Sequence, residues 1–440
     1  MFKKLHHYSM QHPVAAIVFY CAALRLLLLL FYSHVTIFPD SSGYIELAHL
    51  LNPVNLTGYN GTRIPGYPLL ITLAGNYLPL VVAYQMLLGI VTTIYTYKTM
   101  RLLAFSNGVS FYTALLLNSM LHVLFYETNI LTEALTLLFM VTAFYHMLKL
   151  LYHNNTFKQA VIVSLLLGWL TFIKPFYIFL PFLVYGLYTL KNFSFKNIIN
   201  SKLVVLFFSL AAFLGWSRVN QINTGHFTST TFYGINIAQN CVYFAERVPP
   251  KYKLIGDIYA KHREIALREG QDVSMTIWLA REELQQKTGL TFIELSDELS
   301  RYGNAAIKQN PGAYLKQVLH SWVDFWLITI QWNYDDFNFR YANKAFLLVF
   351  FIERALLFAL KALFVLLIPV HIFRYFKTRT VTPALIIVVV VLAASVLQAL
   401  VTFGTNARYS YPFEFLMIIC LMLTFKHKIE TLRLPFFIKK

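Results

Sequence analysis

The chain has 440 residues, of which 58% are hydrophobic and 13% are charged, and its formal net charge is +17. Soluble domains carry about 25% charged residues, so the composition excludes an ordinary soluble protein and predicts a chain that lies mostly in lipid. The positive charge does not indicate nucleic-acid binding, because many basic residues fall in short segments between apolar runs, where they orient a membrane protein.

Apolar runs long enough to cross a bilayer follow one another through most of the sequence. A transmembrane helix needs about 20 predominantly apolar residues, and the sequence contains about ten such runs. No small-residue cleavage site follows the first run, which we interpret as a retained span rather than a signal peptide. The runs lie near residues 13–32, 79–99, 109–126, 129–148, 158–173, 175–190, 202–217, 345–372, 381–402 and 411–426. We therefore predict an all-α, polytopic helical bundle with about ten spans.

The charged residues between the runs predict the orientation. With a cytoplasmic N-terminus, the inside segments are rich in Lys and Arg and almost free of carboxylates, as the positive-inside bias requires, so both termini are expected in the cytoplasm. Most carboxylates fall in the segments 33–78 and 218–344, which are expected outside. The predicted organisation is an N-terminal transmembrane catalytic module (1–217), an extracytoplasmic cap (218–344), and C-terminal transmembrane helices with a basic tail (345–440).

The cap segment contains helical periodicity. Between residues 292 and 308, apolar side chains recur at the spacing of an amphipathic helix, at Leu295, Leu299, Tyr302 and Ala306. Pro311 is expected to restart a helix from Gly312 toward Trp326. These patterns predict a small helical cap.

The first outside segment brings a carboxylate and a guanidinium to the same water layer. Asp40 follows a proline and precedes a helical pattern, so it is either the N-cap of that helix or a general base at the rim of a partly dehydrated cavity. Arg63, shortly before Pro65, is either an interfacial snorkelling residue or a phosphate ligand, for which its planar fork is suited. Glu46, on the same helix as Asp40, is interpreted as a solvated or paired side chain.

Two carboxylates stand at the start of another predicted helix. Glu127 is compatible with the positive end of a helix dipole, which is a structural role. Glu133 is expected about one turn inside an apolar span, where an ionisable group is costly and usually faces a cavity or a partner. Glu133 is therefore the stronger functional candidate of the two.

Three further cations fall on the same predicted face. Lys174 stands between two apolar runs, Arg218 follows the next run, and Arg408 lies at the mouth of the final span. Each of them alone is more often a membrane-edge anchor than a ligand. Together with Arg63 and the carboxylates, they predict a binding site for an anionic lipid head group.

These features resemble the GT-C superfamily of membrane glycosyltransferases, close to the protein O-mannosyltransferases and the bacterial aminoarabinose and lipopolysaccharide-sugar transferases, which use polyprenyl-phosphate donors. The resemblance covers most of the chain. It is carried by the segment around Asp40, Arg63–Pro68, Leu131-Thr132-Glu133, Lys174-Pro175, Asn223–Phe227 and Arg408-Tyr409. It implies that Asp40 is the general base and that Arg63 and Arg408 hold the donor phosphate.

The predicted site combines the residue patterns with this resemblance. Asp40 is the predicted catalytic residue. The predicted ligands of the donor phosphate are Arg63, Lys174, Arg218 and Arg408. The supporting acidic and polar residues are Glu46, Glu127, Glu133, Tyr67 and Tyr409.

The resemblance implies transfer of a sugar from a lipid phosphate to a hydroxyl or an amine, with inversion at the anomeric carbon. No cofactor is expected and a divalent metal is disfavoured, because a phosphate leaving group needs charge stabilisation more than protonation. In addition, Ser41 follows Asp40 where many relatives have a second acid, and Lys174 stands where relatives often have arginine. The cysteines Cys21, Cys241 and Cys420 show no metal or redox spacing.

The expected partners are membrane lipids, the polyprenyl-phosphate sugar and a glycan, lipid or protein acceptor, but no nucleic acid. The expected location is multi-pass in a bacterial inner membrane, with the site facing the periplasm. A transporter or flippase remains an alternative, but it would have repeated halves or broken helices at matching positions, which the sequence lacks. A polysaccharide polymerase or ligase is a second alternative, favoured if residues after Arg218 were essential while Asp40 was not.

Overall fold

The computed structural model describes residues 2–191, 193, 198–329, 332–404 and 406–431, with side chains from residue 7 onward. Within these ranges the regular structure is helical, without a β-strand, and an isolated bridge pairs Thr36 with Asn129. The prediction of an all-α protein is therefore confirmed. The α-helices are α1 Phe2–Gln11, α2 Pro13–Phe31, α3 Pro39–Leu51, α4 Pro68–Leu73, α5 Leu78–Leu102, α6 Asn107–Asn118, α7 Leu121–Thr128, α8 Glu133–Tyr152, α9 Phe157–Ile173, α10 Phe179–Lys191, α11 Val204–Thr224, α12 Tyr233–Gln239, α13 Lys253–Arg268, α14 Thr276–Thr288, α15 Phe292–Gln309, α16 Pro311–Phe325, α17 Ala342–Thr378, α18 Pro383–Val401, α19 Asn406–Ser410, α20 Glu414–Thr424 and α21 Lys426–Thr431.

Six of the described helical segments are long and apolar enough to cross a membrane. They are α2, α5, α8, α11 with the short turn before it, α17 and α18. The helices α6 and α7 pass the same test only as a pair, and they meet at a bend of 54°. The chain is thus a membrane-embedded helical protein. The count of about ten spans and the cytoplasmic position of the termini stay predictions, because α9, α10 and α20 fall on predicted runs but are shorter.

The start of α8 differs from the expectation. The predicted run at 129–148 begins with residues that are not helical, because Ile130 donates its backbone N–H to Thr36 and the Gln85 side chain donates to the Asn129 carbonyl. The helix therefore begins at Glu133. The prediction that Glu133 lies one turn inside a span is wrong, because Glu133 is the first residue of the helix.

The cap has a hydrophobic core of its own. Leu295, Leu299, Tyr302 and Ala306 are buried in it, as their spacing predicts. Thr291 caps α15 together with Glu294, and the helix continues to Gln309. Pro311 then begins α16 as expected. The predicted helices of the cap are confirmed, although α11 continues to Thr224, so the predicted boundary at residue 217 falls inside a helix.

Loops from distant parts of the chain meet at one end of the bundle. The loop between α3 and α4 bonds to the segment after α11, where Thr231 N–H donates to the Gly61 carbonyl at 2.9 Å and Thr230 Oγ1 to the Thr62 carbonyl at 2.8 Å. The segment between α2 and α3 is tied to the α7–α8 link through Thr36. These bonds tie the end of α2 to the end of α7, and the loop after α3 to the segment that follows α11.

Candidate active site

Three charged side chains from opposite halves of the chain converge on α3. Arg63 donates from Nη2 to Oδ1 of Asp40 at 2.9 Å. Arg408 donates from Nη1 to Oδ2 of the same carboxylate, also at 2.9 Å. Asp40 is therefore held by two guanidinium groups, one on each oxygen.

Glu133 extends this arrangement inward. Arg408 directs Nε and Nη2 to Oε1 of Glu133, at 3.0 and 2.9 Å, and Lys174 donates to the same oxygen at 3.0 Å. Arg408 thus bridges both carboxylates. The order of contacts is Arg63, Asp40, Arg408, Glu133, Lys174, and we call these five residues the charge network.

The two carboxylates of the charge network differ in access. The side chain of Asp40 is 39% exposed, whereas that of Glu133 is 1% exposed. Three cations and two carboxylates leave a formal excess of one positive charge. A ligand reaching this site meets Asp40 and the outer faces of Arg63 and Arg408, in surroundings that favour an anion.

Local structure explains why Asp40 is available for these contacts. Helix α3 begins at Pro39, so its N-cap is Phe38. The Phe38 N–H donates to the Ser41 hydroxyl, which itself donates to the Ile130 carbonyl at 2.8 Å. Ser41 therefore closes the helix start, and the interpretation of Asp40 as an N-cap is wrong. The carboxylate is free to pair with the arginines.

Arg63 is fixed by aromatic side chains. Its guanidinium carbon lies 4.6 Å from the ring centre of Tyr44 and 5.0 Å from that of Phe232. Its carbonyl accepts hydrogen bonds from Tyr59 and from Trp216. Cation–π contacts of this kind hold a planar guanidinium without using up its donors. The Nε of Arg63 is buried and has no hydrogen-bond partner among the described residues, so part of its donor capacity remains unused.

Glycine permits the close packing of this loop. The Gly66 N–H donates to the Phe172 carbonyl at 2.9 Å, and a Cβ at position 66 would stand 2.3 Å from that oxygen. Side chains cannot approach a backbone so closely. The contact holds the Arg63 loop against the end of α9, immediately before Lys174.

The charges of the network shift one another's pKa values. Burial raises the pKa of Asp40, but Arg63 and Arg408 outweigh this effect and hold that pKa well below its ordinary value. Burial lowers the pKa of Arg408, but the adjacent carboxylates of Glu133 and Asp40 raise it by more than burial lowers it. The net shift of this pKa is therefore upward. Burial lowers the pKa of Lys174, an effect that Glu133 opposes. Asp40 is thus a weak base while both arginines hold it.

No protein-family model and no curated protein matches this chain. The remaining predicted residues are therefore placed by geometry alone. Tyr409 lies beneath Lys174, with the ammonium 5.5 Å from its ring centre. Tyr67 is fully buried, packs edge-on against Tyr44 and donates to Gln85. Tyr409 thus contacts the charge network at Lys174, and Tyr67 packs against Tyr44, which contacts Arg63.

Three predicted charged residues lie outside the charge network. Arg218 is exposed on α11 and donates to Gln221 at 2.7 Å. Glu46 is exposed on α3. Glu127 is buried and pairs with Arg25 of α2. The ion pair with Arg25 replaces the helix-dipole interpretation of Glu127. In the part of the chain that the structure describes, neither Arg218 nor Glu127 contacts Asp40.

The sequence interpretation missed one residue that contacts the charge network, Phe232, and two buried cations outside it, Arg25 and Lys361. Phe232, which covers Arg63, belongs to the cap, and an aromatic residue there carries no distinctive signal. Arg25 had a signal, because it stands inside an apolar run where an ionisable group requires a partner. Lys361 had the same signal. It donates to Glu414 at 2.6 Å and to the Ser410 hydroxyl at 2.9 Å, two residues after Arg408.

Proposed function

We propose that this protein is a GT-C-type membrane glycosyltransferase, which moves a sugar from a polyprenyl-phosphate donor to an acceptor hydroxyl or amine with inversion. In this proposal Asp40 is the base, and Arg63 and Arg408 bind the donor phosphate. The observation that carries it is the meeting of these three side chains at a partly exposed point, with both guanidinium contacts at 2.9 Å. A proton acceptor and two phosphate ligands are thus available together.

The donor phosphate and Asp40 compete for the same guanidinium groups. Arginine binds phosphate oxygens through strong, often paired hydrogen bonds, so an arriving phosphate draws Arg63 and Arg408 away from the carboxylate. Losing these partners raises the pKa of Asp40 toward its ordinary value. Asp40 therefore becomes an effective base only when the donor is bound.

In the transfer step, the acceptor oxygen or nitrogen attacks the anomeric carbon from the side opposite the phosphate. The bond from that carbon to the phosphate oxygen breaks, and its electron pair leaves with the polyprenyl phosphate. The acceptor proton passes to Asp40. The leaving phosphate gains negative charge, which Arg63 and Arg408 are positioned to stabilise.

Glu133 and Lys174 act in this step through Arg408, without contacting the reacting atoms. Glu133 takes Nε and Nη2 of Arg408, which leaves Nη1 for Asp40 or for the phosphate. Lys174 supplies a second cation to Glu133 at 3.0 Å, so the buried carboxylate stays compensated when Arg408 turns to the donor. In this proposal the two residues orient Arg408, and Lys174 reaches the phosphate only by leaving Glu133.

The proposal includes the finer topology expected from the sequence. We propose about ten spans, cytoplasmic termini and a site that faces the periplasm of a bacterial inner membrane. The placement is supported by the positions of Asp40, Arg408 and the cap near one end of the bundle, while the basic residues Arg374 and Lys377 lie at the far end of α17. The cap is suited to select the acceptor because its Phe232 already contacts Arg63.

The direct test is donor consumption. Purified protein is incubated with a panel of radiolabelled polyprenyl-phosphate sugars, and the release of free polyprenyl phosphate is followed. We expect one donor to be consumed and its sugar to appear on an acceptor. Movement of intact donor between vesicle leaflets, without cleavage, would instead support a transporter, and no turnover of any donor would contradict the proposal.

Arg63→Ala should weaken donor binding. A hydrogen bond to a charged group contributes about 1.5–3 kcal/mol, so we expect the apparent donor affinity to fall by roughly 10- to 100-fold, with a smaller change in kcat. Arg218→Ala is the matched control, because this exposed arginine bonds to Gln221 outside the charge network. Titration of turnover against donor concentration measures both. Equal losses in the two variants, or none in Arg63→Ala, would remove Arg63 from the phosphate site.

A further inference from the structure

Helix α17 borders an apolar groove that the proposed reaction does not use. The groove has a volume of about 350 Å³. Its lining residues are Leu327, Ile328, Phe351, Arg354, Ala355 and Phe358. On α17 they occupy positions i, i+3, i+4 and i+7, so they form one stripe along the helix. Phe351 and Phe358 are each 52% exposed, which leaves the groove open at the side of the bundle.

One cation stands within this apolar stripe. Arg354 is exposed and has no ion pair among the described residues. Its neighbour Glu353 points elsewhere: that carboxylate accepts the Leu121 N–H at 2.8 Å and forms no ion pair with Arg354. An arginine flanked by two phenylalanines and an alanine on a membrane helix requires an anionic partner or access to the interface.

The position of Arg354 along α17 sets its depth. Twenty residues separate it from Arg374, where the basic end of the helix begins. At about 1.5 Å per residue this distance is roughly 30 Å, which matches the hydrocarbon thickness of a bilayer. With Arg374 at one boundary of the hydrocarbon core, Arg354 lies at the other, where its long side chain reaches outward to the lipid phosphates.

We propose that this groove is a binding site for an anionic glycerophospholipid of the surrounding membrane. Arg354 binds the head-group phosphate, and an acyl chain lies along Phe351, Ala355 and Phe358. The site goes beyond glycosyl transfer and does not depend on it. The groove has a single cation, which suits the single charge of a phosphodiester, and its open side admits a lipid by lateral diffusion.

A bilayer lipid fits the groove better than the sugar donor does. Lys361, two turns along α17 from Arg354, is buried and donates to the Ser410 hydroxyl and to the carbonyl of Leu327, which lines the groove. The charge network has its own arginines for the donor phosphate, and none of its five residues lines the groove. An occupant of the groove therefore meets α17 and the Leu327–Ile328 segment but not Asp40.

The test uses the full chain in nanodiscs with equal amounts of phosphatidylglycerol and phosphatidylcholine. Lipids retained on release are counted by native mass spectrometry. We expect phosphatidylglycerol to be enriched, and Arg354→Gln to reduce the enrichment about fivefold, the factor given by roughly 1 kcal/mol for one basic residue at a lipid surface. Ala355→Trp, which fills the groove and keeps the charge, should reduce it as well.

Lys344→Gln is the matched control, since Lys344 is an exposed cation on the same helix outside the groove. It should leave the enrichment unchanged. Equal retention of the two lipids by the unmodified protein would overturn the proposal, as would an Arg354→Gln variant that behaves like the Lys344→Gln control. Displacement of phosphatidylglycerol by equimolar polyprenyl phosphate would assign the groove to the donor instead and would also overturn it.

Discussion

Asp40→Asn is expected to lower the turnover number by roughly 10²- to 10⁴-fold, the range for loss of a general base, while the donor still binds. The amide has nearly the same shape but cannot take a proton from the acceptor. It also competes less well for Arg63 and Arg408, which the carboxylate occupies at 2.9 Å on each side. The apparent donor affinity should therefore stay the same or rise. Initial rates over a range of donor concentrations measure both quantities.

The matched control is Glu46→Gln on the same helix. Glu46 is exposed and lies outside the charge network, so its replacement should leave kcat and donor affinity unchanged. An active Asp40→Asn protein would rule out Asp40 as the base. A variant that loses donor binding together with turnover would show that the carboxylate organises the arginines rather than accepting a proton.

The sequence predicts in outline that the residues of the charge network lie on the same side of the bundle. Asp40, Lys174 and Arg408 each stand at the end of an apolar run, and the alternation of runs predicts that these ends share one side of the bundle. Sidedness alone does not determine contact. Which ends are neighbours depends on how the helices pack, so only the structure brings Arg63 and Arg408 to the two oxygens of Asp40.

Arg218 illustrates the limit of that reasoning. It falls on the predicted side, but α11 continues to Thr224. At position 218 the helix turns its exposed face outward, and the guanidinium meets Gln221 one turn further on. A run of apolar residues predicts where a helix lies in the membrane. It does not predict how far the helix continues beyond the membrane, nor which neighbour a side chain near its end meets.

An isolated charged residue inside an apolar run predicts a buried ion pair. Arg25 pairs with Glu127, and Lys361 pairs with Glu414, in each case across helices that are far apart in the sequence. An ionisable group in a span is costly without a partner, so each of these residues could have been predicted to have one. The identity of the partner could not, since several carboxylates were available and each pairing depends on helix rotation.

Lys361→Met is expected to destabilise the fold by about 3–5 kcal/mol, the loss that follows when a buried ion pair loses one partner. The ammonium donates to Glu414 at 2.6 Å, to the Ser410 hydroxyl and to the Leu327 carbonyl, and both charged side chains are almost fully buried. Methionine keeps most of the volume but none of these donors. Unfolding in detergent, followed by denaturant titration or by heating, measures the loss.

Lys344→Met, an exposed change on the same helix, is the control and should shift the transition little. The double variant Lys361→Met with Glu414→Gln removes both charges, so it should recover part of the stability that the single change costs. A single variant as stable as the control would mean that the ion pair contributes nothing measurable. Recovery in the double variant would locate the cost in the Glu414 carboxylate, left with the His122 ring as its remaining partner, rather than in the packing of α17, because the methionine is present in both.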